Sequence, residues 1–173
     1  VYRVVTGVLS RKEFPSLPVI AEDATFPMFS AQGVLAVDLS SGMTLFEKNA
    51  DKPFFPASTT KIVTALVAMD AFVDDQVIEV GRVTVEGHKM GLKRGEKIKV
   101  SGLLYGLLVY SANDAAEALA QNFEGGSETF ILAMNNLAKS LHLKNTNFTN
   151  PSGLDGGDSR IVSKAEELVG ISS

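Results

Sequence analysis

The chain has 173 residues and a net charge of -4, and its 16 lysines and arginines are scattered rather than clustered, which excludes a counterion-releasing surface for nucleic acid. Its 45% hydrophobic content is enough for one domain with a buried core. The absence of cysteine excludes disulfides, thiolate zinc sites and a cysteine nucleophile.

The first residue is Val1 rather than Met, so a signal peptide or anchor can precede the chain. Asp70 interrupts the longest apolar run before it reaches the roughly 18 residues that cross a bilayer. Residues 1–30 carry Pro15, Pro18 and Pro27 with mixed polarity and predict an irregular lead-in, with at most a short helix or strand near Val1 to Leu9. Two β-prone runs around Ser40-Ser41-Gly42 predict a hairpin from about Val34 to Lys48. After the proline-punctuated approach "DKPFFPAS", residues Ile62 to Phe72 are apolar on nearly every face, the mark of a buried helix.

Val77 to Val100, rich in valine, glycine and alternating charge, reads as short strands and turns. "SGLLYGLLVYSANDAAEALAQNF" predicts two helical segments that meet at Ser111-Ala112-Asn113. Phe130, Ile131, Met134, Leu137, Ala138 and Leu141 recur at helical spacing within Ser127 to Leu141. "NTNFTNPSGLDGGDSR" reads as a long loop, and Ser163 with Glu166 forms a capping box that would open a last helix. No repeat, low-complexity tract or linker divides 31–173, and the order of elements predicts an α+β fold.

Within "FFPASTTKIVTALVAM" a cation sits three residues after a serine, at the start of an apolar helix. Helix starts favour Ser, Thr, Asp or Asn at the cap and acidic residues just inside. Ser58 obeys that rule as an N-cap, whereas Lys61 breaks it at a cost of about 0.3–1 kcal/mol if exposed. Three residues apart, the two side chains share a face. A serine hydroxyl needs a base to become a nucleophile, and a lysine amine serves once it is neutral. The positive end of the helix and apolar burial both lower the lysine pKa, and the same N–H groups can face an oxyanion. The bland alternative is a capping serine beside a surface lysine snorkelling past Phe55, since Ser-x-x-Lys arises by chance on the order of once in one or two chains of this size. Ser111 and Asn113 form a second polar cluster at the helix junction, where Ser111 with Asp114 also fits a capping box.

"PASTTKIVTALVAM" resembles the nucleophile segment of serine-type D-Ala-D-Ala carboxypeptidases, the low-molecular-mass penicillin-binding proteins. "LKRGEKIKVSGLLYGLLVYSANDAAEALA" looks like the segment bearing their second motif, and "NTNFTNPSGLD" resembles the loop that follows. The likeness runs from about Gly33 to Leu168. It implies a β-lactamase/transpeptidase-like fold, with 31–173 as part of the catalytic domain. By resemblance, Ser58 is the acylated nucleophile, Lys61 its general base and Ser111 a proton relay to the leaving amine. Asn113 hydrogen-bonds the substrate's peptide carbonyl or helps hold Lys61. The implied reaction removes the terminal D-alanine of peptidoglycan stem peptides through an acyl-enzyme, with β-lactams acylating the same serine. No cofactor is implied. The implied location is outside the cytoplasmic membrane, with room for a membrane anchor beyond this chain.

The family's third motif, Lys-Thr-Gly or Lys-Ser-Gly, is absent from the sequence, and Lys93-Arg94-Gly95 lies in a charged turn before the second motif. The expectation is a fragment, inactive or weakly active by itself, whose remaining strands would follow Ser173, with the Val34 to Lys48 hairpin short of sheet partners. Two rival functions stand beside the carboxypeptidase. A class A β-lactamase would need Glu-x-x-Leu-Asn after the second motif, which does not occur, and a non-catalytic cell-wall binding domain would bind without Ser58. His88 in a turn and His142 at a helix end do not have metal-ligand spacing, and no metal site is expected. Asp155 and Asp158 lie in a glycine-rich loop without EF-hand spacing. Tyr105, Tyr110 and Phe123 are expected to pack among the helices.

Overall fold

The computed structural model describes residues 17–19, 21–23, 25, 28–154 and 163–164. Strands β1 (Val34–Val37) and β2 (Thr44–Lys48) pair antiparallel with Val34 opposite Lys48, where the hairpin is predicted. Asp38 closes the turn by accepting the Ser41 backbone N–H at 2.8 Å and its hydroxyl at 2.5 Å. Gly42 takes the left-handed φ of 72° that a residue with a Cβ resists.

Strand β3 (Pro53–Phe54) leads into a 3₁₀ turn (Ala57–Thr59) and helix α1 (Thr60–Ala71). Strands β4 (Val77–Glu79) and β5 (Lys97–Lys99) pair antiparallel, and α2 (Val100–Val109), α3 (Asn113–Gln121) and α4 (Gly126–Ser140) follow. Strand β6 (Ser163–Lys164) returns to pair antiparallel with β3. Four helices and three two-stranded antiparallel sheets among the described residues make this an α+β fold, as the sequence predicts.

Helix α3 is the hub. Ala115, Ala116, Ala118, Leu119 and Ala120 are fully buried, and their small side chains let α2 and α4 pack closely against it. Val63 and Ala68 of α1, Leu103 and Leu107 of α2, and Phe130 and Met134 of α4 complete the core. Each of the larger of these side chains contributes about 1.5–3 kcal/mol by leaving water. Phe123 stacks edge-on against Phe72 and Phe130, with ring centroids 6.4 and 5.2 Å apart.

Several expectations need correction. Tyr105 and Tyr110 do not pack among the helices but are 68% and 64% exposed, because no described element covers that face of α2. Helix α1 is not buried all round, since Leu66 and Met69 face outward. Val77 to Val100 does form short strands and turns as expected, with β4 and β5 at its two ends. Gly87, Gly91 and Gly95 hold left-handed φ between them and break the ladder. Ser163 lies in a strand, while the last helix expected after it, with Glu166, falls outside the described residues, as do Asp155, Asp158 and residues 1–16 of the lead-in.

Two polar side chains, the partly buried Asn135 and the buried Asp114, fix the loops that surround the start of α1. Asn135 on α4 donates to the Phe148 carbonyl and accepts its N–H, both at 2.8 Å, which ties down the loop from Asn145 to Leu154. Asp114, 1% exposed, accepts the N–H groups of Met90, Gly91 and Leu92 at 2.9, 2.8 and 3.0 Å. It does not close a capping box with Ser111, because these three long-range donors occupy its carboxylate. Replacing it (Asp114→Ala) leaves buried donors without an acceptor, and is expected to lower the unfolding free energy by about 3 kcal/mol in urea titration. A loss below about 0.5 kcal/mol would contradict this role.

Candidate active site

Ser58 does not cap the helix. It lies inside the 3₁₀ turn, and neither that turn nor α1 has a side-chain cap. Its hydroxyl is free for other partners: it accepts from Lys61 Nζ at 3.2 Å and from Ser111 Oγ at 3.0 Å. The turn is entered through Ala57 at φ 46°, and Ser111 itself holds φ 56°. Both are left-handed conformations that side-chain-bearing residues rarely adopt, and such conformations concentrate at functional sites.

Lys61 is 3% exposed, although it opens the helix. Its second partner is the Ser152 carbonyl at 2.8 Å, delivered by the loop that Asn135 and Thr64 anchor; Thr64 Oγ1 donates to the Pro151 carbonyl at 2.6 Å. Burial lowers the Lys61 pKa below the ordinary value of 10.5, because the ammonium form loses its hydration. The folded chain therefore binds fewer protons than the unfolded one between the lowered pKa and 10.5, and across that window its stability rises with pH.

Asn113 does not hold Lys61. Its amide donates to the Glu86 carbonyl at 2.7 Å, and its backbone N–H donates to the His88 carbonyl at 2.8 Å. These bonds draw residues 86–88 against the start of α3. A cleft of about 320 Å³ results, lined by Ser58, Ser111 and Asn113 together with Ala57, Gly87, His88 and the segment Ser152 to Leu154. The four residues singled out in the sequence thus gather at one place, with Lys61 buried beneath Ser58.

Three contributors were not foreseen. His88, read as an ordinary turn residue, borders the cleft. Ser152 acts through its backbone carbonyl, which no side-chain pattern reveals. Gly153 at φ 77° leaves space that a Cβ would fill, running into the Ala57 carbonyl and coming within 2.8 Å of Thr60 Oγ1. Among the described residues, no group of three His, Cys, Asp or Glu is placed to hold a metal.

The family model for D-alanyl-D-alanine carboxypeptidase, peptidase S11, matches residues 20–172. The D-alanyl-D-alanine carboxypeptidase DacF of Bacillus subtilis is 37% identical over 131 residues, covering 72% of this chain and 34% of its own length. A crystal structure of a D-alanyl-D-alanine carboxypeptidase from Mycobacterium tuberculosis superposes with a TM-score of 0.79 at 36% identity. That match covers 87% of this chain and 58% of the other. Penicillin-binding protein D2 of Listeria monocytogenes, in its ampicillin-bound form, gives a TM-score of 0.76 at 30% identity, over 86% and 62% of the two chains. The chain belongs to the D-alanyl-D-alanine carboxypeptidase family and has its penicillin-binding protein fold. It spans about a third of the length of the first curated relatives it matches, 34% and 38%.

Gly153 offers a test of how the site is assembled. Gly153→Ala combines a left-handed φ with a collision against backbone, and is expected to cost about 2–4 kcal/mol of stability. Urea unfolding of the variant checks this, and an unchanged midpoint would contradict the close approach of the two loops.

Proposed function

We propose that the chain carries the nucleophile, base and proton relay of a serine-type D-alanyl-D-alanine carboxypeptidase, with 31–173 as part of its catalytic domain and the residues before it as a lead-in. The reading rests chiefly on one observation: a single exposed hydroxyl, Ser58, is bonded both to a buried lysine amine and to a second hydroxyl, that of Ser111. Family membership supports it and supplies the substrate class, the D-Ala-D-Ala end of peptidoglycan stem peptides.

In this mechanism neutral Lys61 takes the Ser58 proton while Oγ attacks the carbonyl carbon of the penultimate D-alanine. The carbonyl oxygen becomes an oxyanion beside the start of the 3₁₀ turn, where the first N–H groups have no partners within the turn. The carbon–nitrogen bond then breaks. Ser111 passes a proton from the Lys61 ammonium to the departing amine, D-alanine leaves, and an ester remains on Ser58. Water attacks that ester and restores the serine. Asn113 is the residue that would orient the peptide carbonyl on the acyl side.

A β-lactam presents the same carbonyl in a ring and acylates the same serine; the Listeria neighbour is described in its ampicillin-bound form. The substrate places the protein outside the cytoplasmic membrane, with a membrane anchor beyond this chain as part of the proposal.

Intact mass after incubation with a fluorescent penicillin tests the reading. One covalent adduct is expected on the folded chain and none on Ser58→Ala. The labelling rate is expected to rise with pH as Lys61 loses its proton, since the lowered pKa brings the neutral amine into reach. An adduct that persists in Ser58→Ala, or none on the wild-type chain, would overturn it.

A further inference from the structure

The cleft does not end at Ser111. A second hollow of about 620 Å³ adjoins it, lined by Gly87, His88, Lys89, Val109, Tyr110 and Ser111. Gly87, His88 and Ser111 border both spaces, so a molecule reacting at Ser58 can extend past Ser111 into the second.

The chemistry of this hollow is one-sided. Lys89 brings an ammonium, His88 an imidazole and Tyr110 a hydroxyl, and no carboxylate side chain lines it. None of those three side chains has a hydrogen-bond or ion-pair partner among the described residues, where the one ion pair joins Lys99 to Asp75. Val109 and the Tyr110 ring, 66% and 64% exposed, add an apolar wall. In a chain of net charge -4, a pocket with a cation and no acid selects an anionic group.

The segment is also held ready. The Asn113 N–H grips the His88 carbonyl at 2.8 Å, and Asp114 grips the N–H groups of Met90 to Leu92. Lys89 therefore lies between two fixed points, and less ordering is left for binding to supply. We propose that this hollow is a substrate subsite for a carboxylate borne by the peptide, with Lys89 as its counter-charge and His88 and Tyr110 as further donors. The inference rests on Ser58 being the nucleophile, because that is what brings a peptide into the first cleft.

The test uses two synthetic peptides ending in D-Ala-D-Ala, identical except that one bears a side-chain carboxylate two residues before the scissile bond and the other a carboxamide. Binding is measured by titration calorimetry to the full chain carrying Ser58→Ala, so that no turnover intervenes. The carboxylate peptide is expected to bind about fivefold more tightly at low salt, with the preference shrinking as salt is added. Lys89→Met should erase the preference, while Lys139→Met, an exposed lysine on α4 outside both hollows, should preserve it. Equal affinities, a preference that survives Lys89→Met, or no binding of either peptide would overturn the subsite. Penicillin labelling of the wild-type chain separates the two levels. An adduct without a carboxylate preference removes the subsite alone, whereas no adduct removes the catalytic reading beneath it.

Discussion

A lysine amine buried at the start of a helix is the constraint around which the described structure is arranged. Water would stabilise the ammonium of Lys61 far better than apolar neighbours do, and the positive end of α1 adds to the penalty. What holds the amine is a carbonyl from the far side of the sequence, that of Ser152. That carbonyl arrives only because Asn135 clamps Phe148, Thr64 bonds Pro151, and Gly153 has no side chain to strike Ala57. One destabilised group thus accounts for a chain of loop contacts that would otherwise look unrelated.

The opposite wall depends on a different buried group. Asp114 and Asn113 fasten residues 86–92 to the start of α3, which sets Gly87, His88 and Lys89 beside Ser111. Ala57 and Ser111, the two non-glycine residues of the cleft in left-handed backbone, lie where the two hydroxyls meet: that of Ser58, just after Ala57, and that of Ser111 itself. Strain of this kind costs on the order of 1 kcal/mol or more per residue and persists only where surrounding packing enforces it. Here the alanine-rich core of α3 and the Lys61 to Ser152 bond supply that enforcement.

Much of this was legible in the sequence because it is local. Ser58 and Lys61 are three residues apart, so their meeting follows from helical geometry, and the misplaced cation flags it. The hairpin at Ser41-Gly42 and the helices rest on short-range patterns in the same way. Ser111 and Asn113 were legible through the resemblance of a longer segment, since Ser-x-Asn by itself says little. What escaped is long-range or carried by backbone. The Ser152 carbonyl has no residue-type signature, and His88 enters the cleft through a main-chain bond to Asn113. The Tyr105 and Tyr110 reading failed because periodicity does not say which helix face a neighbour covers.

The central claim is that Lys61 reaches its neutral form at a lower pH than the other lysines. Carbon-13 NMR of the chain with lysine labelled at Cε reads that directly as a titration of each resonance. The account predicts one resonance whose midpoint falls clearly below 10.5 and which disappears in Lys61→Met. If every lysine titrated together near the ordinary value, the buried amine would be no base for Ser58 and the account would fail.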